Sequence, residues 1–441
     1  MKSKKLFTMI PLVALFGIVA GVMTACGGAP KQESSETESI YVPTLNTTIT
    51  LTPVEGEFDT LPSAVSDYLA SEKYTEPSNT SGEKSKPNKL TLAWNAQGDE
   101  QAEKYVVQLA EDEKMEQVVR QYEVTTSSVE IDNLKVGTQY YWRVYAKKGE
   151  QENRSEIGTF KTKDSSVRLI DIDGLSNVRD CGAKDTEFGV KIKQGLLYRG
   201  EEFNQQNYAK KGSGNSLSVD YTKVSAIYEE EMAKAKPYGR KVTEKGIDQL
   251  KNEINLKVEI DVRGYETFDY ADPFSKPISE ISGMTEHHGC VEGIDYFINP
   301  FHTSHDKLYY DEYGKAASKK FFDIISDENN LPAYFHCAQG KDRTGFAACL
   351  FEAFLGASEE DLVRDYLMSN FGNTGSVNYS KMTTGDYNYL LWLKGEEVST
   401  KDGVKYQATG NTISERAENY LLECGVTQDQ LDNVRHIFLG I

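Results

Sequence analysis

The 441-residue chain is short of positive charge, of cysteine and of long apolar runs. Lysine and arginine total 49 against 68 aspartates and glutamates, a formal net charge of −19. Nucleic-acid binding needs a basic face and docking on anionic lipid needs a polybasic one, so both are excluded as general modes of binding. A local phosphate site stays allowed, because one loop can be electropositive inside an acidic protein. The six cysteines, Cys26, Cys181, Cys290, Cys337, Cys349 and Cys424, are widely scattered. With Cys26 set apart an odd number is left, which makes no disulfide framework and leaves at least one thiol for chemistry. After Ala25 no second apolar run of spanning length follows. No internal repeat is present. His302, His305 and the pair His287 and His288 show no metal-ligand pattern with carboxylates beyond Asp306, so they read as surface or satisfied histidines and no metal is expected.

The beginning of the chain reads as a targeting segment. Lys2, Lys4 and Lys5 precede an apolar run from Leu6 to Ala25, and Met23, Thr24 and Ala25 stand before Cys26. Small residues before a cysteine resemble the lipobox of bacterial lipoproteins. The resemblance implies a signal peptide over 1–25, lipid on Cys26 and a protein held at the membrane on its extracytoplasmic side. A plain transmembrane anchor is the alternative, although Pro11 and the glycines make a poor permanent span. Residues 26–40 are polar and read as a flexible tether.

Such a length is too great for one ordinary core, so several domains are expected. From about 86 to 163 the apolar period is near two: Leu90, Leu92 and Trp94, then Tyr105, Val107 and Leu109, then Val129 and Ile131, then Tyr140, Trp142 and Val144. Turn residues separate these runs, which makes an antiparallel β-sandwich spread over 41–164. Trp94 and the pair Leu134 and Tyr140 resemble the inner tryptophan and tyrosine corner of a fibronectin type III domain. A generic immunoglobulin-like sandwich is the alternative, and no partner for the sandwich is indicated. Residues 165–441 change character. Val258–Ile260 and Ala333–Phe335 read as short strands, Phe346–Phe354 as a helix apolar on one face, and Ser358 to Asp361 as a capping box. Strands alternating with helices predict an α/β domain with a mainly parallel sheet flanked by helices. Residues 205–242 read as an insertion.

The chemistry is carried by His336-Cys337-Ala338-Gln339-Gly340-Lys341-Asp342-Arg343-Thr344-Gly345, which follows one predicted strand and opens one predicted helix. A thiol attacks phosphorus as the thiolate, and a free cysteine has a pKa of about 8.5. A tight loop at a helix N-terminus turns several amides inward and adds the positive end of the dipole, which lowers the thiolate's energy and cradles phosphate oxygens. Gly340 permits the backbone turn. Arg343 can hold two oxygens with its planar fork. Thr344 can donate to the sulfur, and His336 can orient the loop. Ala338, Gln339, Lys341 and Asp342 complete the substrate cradle, and Lys341 adds a second cation that suits a polyanion.

The string resembles the signature loop of the cysteine-dependent tyrosine phosphatase superfamily, and its Gly-Lys-Asp-Arg-Thr-Gly form resembles the secreted bacterial atypical tyrosine phosphatases. The resemblance extends over about 168–441 and includes Asn177, Arg179 and Asp180, with Ala183 in place of a second glycine, and Leu197 to Gly200. It implies a phosphomonoester hydrolase needing no cofactor, with Cys337 as nucleophile. A leaving oxygen needs a proton and water must later lose one, and a single carboxyl can do both. Asp261, at the end of its strand, is the first candidate and resembles the family's strand-end aspartate; Asp180, Asp342 and Glu266 are rivals, and pairing with Arg263 is its structural alternative. A phosphotyrosine protein is the first substrate class expected, and a phosphoinositide or soluble inositol phosphate the second. Two other classes stay open: a surface adhesion protein with an inactive phosphatase scaffold, and sulfur transfer or arsenate reduction on the same cysteine loop. A reversible disulfide between Cys181 and Cys337 would protect the thiol outside the cell.

Overall fold

The computed structural model describes residues 42–77, 85–203, 241–262, 291, 293–299, 301, 309–372, 377–383, 388–400 and 403–441. The expected leader, the tether, most of the 205–242 insertion, Arg263, Glu266, Cys290 and all the histidines read above as non-ligands lie outside them. Among the described residues no helix is long and apolar enough to cross a membrane.

The period-two segments form nine strands: β1 Thr47–Leu51, β2 Glu57–Phe58, β3 Leu90–Gly98, β4 Lys104–Ala110, β5 Val118–Val124, β6 Ser128–Ile131, β7 Gln139–Lys148, β8 Gln151–Arg154 and β9 Gly158–Thr162. They make two sheets, β1-β3-β6 and β2-β9-β7-β4-β5, with β8 paired to β7. Inward residues alternate as the pleat requires, so Leu92, Trp94, Val107, Leu109, Trp142 and Val144 are buried. Trp94 meets the edge of Tyr105 at 5.3 Å, and Tyr140 stacks on Phe160 at 5.2 Å.

The chain falls into two compact units, and the division departs from the sequence boundary at 164. Residues 57–90 and 131–138 group with 161–441, whereas 91–130 and 139–160 group with the described residues up to 56. The helix Ser63–Leu69 explains the first departure: Leu61, Val65 and Tyr68 are part of the core of the second unit. Arg364 donates to the carbonyls of Leu69 and Ser71, and Tyr74 stacks on Tyr379 at 4.4 Å.

The sheet of the second unit contains β10 Arg168–Leu169, β11 Arg179–Asp180, β12 Leu197–Gly200, β13 Val258–Asp261, β14 Asp295–Ile298 and β15 Ala333–His336, in the order β10-β11-β12-β15-β13-β14. It is mixed, which corrects the mainly parallel sheet expected. β12, β15, β13 and β14 are parallel, but β10-β11 and β11-β12 pair antiparallel. The reason is local: β10, β11 and β12 follow one another within residues 168–200 with no helix between them, whereas a parallel pair needs a crossover, usually a helix.

The helices Glu312–Ile325, Asp342–Phe354, Glu359–Leu367, Ile413–Glu423 and Gln428–Leu439 pack against one core with Leu197, Ile260, Ala333 and Phe335. A second core joins Tyr198 and Tyr334 to Ile172, Phe203, Leu250 and Ile254. The helix Asp342–Phe354 is buried from Thr344 to Phe354 on every side, where the sequence suggested one apolar face. It is the central helix, so even Glu352 is enclosed. Ser358 caps the next helix, accepting from the Asp361 amide at 3.1 Å and donating to its carboxylate at 2.8 Å, which is a side-chain cap without the return bond to the Ser358 amide that the capping box read from the sequence would have.

Candidate active site

The register aligns Gly200, His336 and Asp261 at the ends of three parallel strands. Catalytic groups of open α/β sheets gather outside such carboxyl ends. Cys337 follows His336 directly and is 3% exposed. The chain then turns and enters the helix Asp342–Phe354, whose N-cap Lys341 makes no side-chain cap, so the first amides face the loop uncapped by it.

Four features act on the thiol. Burial pushes its pKa up, but the Arg343 charge, the Thr344 hydroxyl and the amides of Thr344 and Gln339 outweigh it, and the value is lowered to about 7. The Cys337 amide donates to the Thr344 Oγ1 at 2.7 Å, which leaves the hydroxyl hydrogen for the sulfur. The other described cysteines behave oppositely. Burial pushes Cys181 and Cys349 well above the ordinary thiol range and Cys424 up to about 12. One described thiol is thus prepared for reaction near neutral pH, and it lies at a helix N-terminus.

Gly340 has φ +65°, and a Cβ there would overlap the Gly200 carbonyl, so the loop can close on β12 only with glycine at this place. Its carbonyl accepts from Arg199 Nη2 at 2.9 Å. Asn177 Nδ2 donates to the carbonyls of Gln339 and Gly340 at 3.1 and 3.2 Å. Asn177 itself has φ +59° and accepts from Arg179 Nη1 at 2.7 Å. Arg179 in turn donates from Nε to Asp365 Oδ1 at 2.8 Å, and Arg199 also pairs with Asp365. Burial and the charge of Arg199 lower Arg179, and the Asp365 carboxylate holds the two guanidiniums together. Lys184 stands 3.8 Å from Asp365 and 3.0 Å from Glu352. This buried chain of charges ties the loop carbonyls to the helix Glu359–Leu367.

The sequence-predicted residues divide. Asn177 supports the loop and Arg179 supports Asn177. Asp180 is held elsewhere: it accepts from Arg168 at 2.8 Å and from the amides of Gly182 and Gly195 at 2.8 and 2.6 Å. It pairs with Tyr198, two positions before the end of β12. Asp342 opens the helix and accepts from the Tyr366 hydroxyl at 3.4 Å. Lys341 is largely buried and lies 3.9 Å from Asp342. Asp261 is buried at the strand end beside His336, whose carbonyl accepts from the Val262 amide at 2.8 Å. Ala338 and Arg343 are half-buried and Gln339 is exposed.

The suggested disulfide between Cys181 and Cys337 does not fit. The Cys181 amide donates to Leu197, which pairs with Ala333 at the far end of β15. That puts the two cysteines about 13 Å apart along the strands and about 10 Å across them, against a limit near 7 Å between bonded Cα atoms.

Sequence reading missed Arg199, Asp365 and Glu259. Arg199 sits in a quoted motif, and Glu259 stands out as a charge within a short apolar strand. Asp365 carries no local signal. Among the described residues no group of three His, Cys, Asp or Glu side chains is placed to hold a metal ion.

Residues 239–440 match the model of the tyrosine phosphatase family, and residues 75–161 match the fibronectin type III domain. The chain therefore carries a cysteine-based tyrosine-phosphatase-family catalytic domain behind a fibronectin type III domain. A candidate tyrosine-protein phosphatase of Cupriavidus necator is 56% identical over 39 residues, which cover 9% of this chain and 14% of that protein. Among solved structures, the core catalytic domain of the PP-IP phosphatase SIW14 of S. cerevisiae is 14% identical over 34% of this chain and 74% of its own, with a TM-score of 0.23. Domains d3 and d4 of the rat CD45 extracellular region are 15% identical over 34% and 85%, with a TM-score of 0.15. Likenesses this slight bear no weight beyond their statement.

Proposed function

We propose that this protein is a protein-tyrosine phosphatase that works through a phosphocysteine at Cys337. The observation that carries the reading is the loop itself. A thiol lowered to about 7 sits at a strand end, with the Thr344 hydroxyl, the Gln339 amide and the Arg343 charge directed at it. In the first step the Cys337 sulfur attacks phosphorus, an S–P bond forms and the ester P–O bond breaks. Asp261 gives its proton to the leaving oxygen. In the second step water attacks phosphorus, Asp261 takes its proton back, and the thiolate leaves inorganic phosphate. Arg343 and the loop amides hold the charge that develops on the equatorial oxygens. Electrostatic stabilisation of this kind is worth about 3–4 kcal/mol per donor in comparable sites.

Asp261 supports the acid role by its place beside His336 at the strand end. Its rival Asp180 is engaged by Arg168 and two amides, and Asp342 by Tyr366. We assign the phosphoprotein as substrate ahead of a phosphorylated inositol. The proposed location is the extracytoplasmic face of the membrane, through lipid on Cys26; a Cys26→Ser chain recovered from the membrane fraction as fully as the native one would contradict it.

The test of function is phosphate release by the full chain and by Cys337→Ser, on a phosphotyrosine peptide and on an inositol hexakisphosphate, with reductant present. Turnover on the peptide that the substitution abolishes supports the reading. Preference for the inositol phosphate replaces the substrate class, and turnover that survives Cys337→Ser overturns the mechanism.

A further inference from the structure

His336 is wholly buried at the end of β15, and both of its ring nitrogens have hydrogen-bond partners. Nδ1 lies 3.2 Å from the Cys337 carbonyl oxygen and Nε2 lies 2.8 Å from Glu259 Oε1. A carbonyl only accepts, so Nδ1 bears a hydrogen. With Glu259 ionised, Nε2 bears one too, and the ring is cationic. Glu259 stands on the neighbouring strand, where the register sets it opposite Tyr334 and sets Asp261 opposite His336. Carboxylate and imidazole are therefore diagonal neighbours fixed by the sheet, not by a mobile loop. A buried neutral histidine without this partner could take the other tautomer, and its Nδ1 lone pair would then face the Cys337 carbonyl.

We infer that Glu259 is a positioning residue for the thiol: through His336 it keeps a hydrogen on Nδ1 toward the Cys337 carbonyl and a positive ring behind the loop, which favours the thiolate. The inference rests on Cys337 being the nucleophile and adds a group that no loop motif contains. The carboxylate supplies the counter-charge without which a buried imidazolium is costly. Other groups around the ring, among the described residues, are Asp261 as register partner, the Tyr334 ring at 6.0 Å and the Phe203 ring at 5.6 Å. Tyr334 is committed to the Glu201 carbonyl at 2.8 Å, and burial pushes its phenol well above the ordinary range, so it stays neutral. Glu201, Glu259, Arg179 and Cys337 all act by their charges on Tyr334.

The test is the pH dependence of Cys337 carboxymethylation by iodoacetate in the full chain, read on the Cys337 peptide by mass spectrometry. Glu259→Gln can still donate an amide hydrogen to Nε2, so it keeps the Nδ1 hydrogen and removes the ring charge. The midpoint is expected to rise by about one pH unit, within the range that neighbouring charges produce. Below the midpoint kcat/KM on p-nitrophenyl phosphate falls about tenfold, with KM little changed. In a His336→Gln background Glu259→Gln adds no further shift. An unchanged midpoint in folded Glu259→Gln, or an equal shift in both backgrounds, overturns the inference. Should Glu259→Gln fold poorly, His336→Gln alone decides: the same rise supports the inference and an unchanged midpoint refutes it. The alkylation midpoint needs no turnover, so a native chain that releases no phosphate would refute the proposed function while this measurement still decides the role of Glu259.

Discussion

Asp365→Asn removes one charge from a buried cluster and leaves its volume unchanged. Asp365 is 2% exposed and faces Arg179, Arg199 and Lys184. After the substitution Lys184 keeps Glu352 at 3.0 Å, and the Glu352 charge still acts on Arg199. Breaking a buried ion pair on one side costs about 3–5 kcal/mol, because the remaining charge is left uncompensated. Part is recovered. Burial, with the Asp365 charge next, pushes the Glu352 carboxyl up to about 8, and without Asp365 it ionises more readily and takes up the cations. We expect a net loss of about 3 kcal/mol, a large fraction of the roughly 5–15 kcal/mol that holds a domain together. For a unit of this size that is a drop in Tm of about 4–5 °C. Calorimetry of the full chain gives the control, since the transition of the fibronectin type III domain stays in place. The pH dependence has a definite sign. Arg179, Arg199 and Lys184 hold the Asp365 carboxyl well below the usual range against the effect of burial. Its contribution is therefore present above the unfolded carboxylate pKa of about 4 and is lost as pH falls toward the folded value. The gap between native and Asp365→Asn must narrow in acid. A Tm within about 2 °C of native at neutral pH, or a gap that widens in acid, would refute the reasoning.

Gly340→Ala meets the Gly200 carbonyl and keeps a positive φ, so kcat should fall by about 10–100-fold, the equivalent of roughly 1–3 kcal/mol of loop strain, while circular dichroism is unchanged. Iodoacetate near pH 7 should label Cys337 before Cys181, Cys349 or Cys424, and Thr344→Ala should move the Cys337 midpoint upward; peptide mapping checks both. Arg364→Ala should destabilise the catalytic unit by about 1–3 kcal/mol, since it unties two carbonyls of the 57–77 segment, and a chain starting at residue 86 should be digested by protease faster than the native one.

Much of this organisation was legible because it is local in sequence. Pleat alternation marks β3, β4 and β7, and the strand, loop and helix from Ala333 to Phe354 are contiguous, so their order could be read directly. The sequence groups 57–77 with the sandwich, because nothing local shows that its seven-residue helix is held by Arg364 and Phe371, about three hundred residues further on. The mixed sheet was missed for a related reason. β10 and β11 are two residues each, too short for a period to show. The support of the loop is the least legible part. Arg199 reaches Gly340 and Arg179 reaches Asp365 across separations of 141 and 186 residues, and a buried charge in an otherwise apolar strand, as at Glu259, says that a partner exists but not which.

The central claim is a covalent phosphocysteine at Cys337, and rapid acid quench of the full chain with a phosphorus-labelled phosphotyrosine peptide tests it most directly. The account predicts label on the peptide containing Cys337, none in Cys337→Ser, and slower formation of it in Asp261→Asn. Phosphate release without label on Cys337 in any quench, or label on another residue, would contradict it.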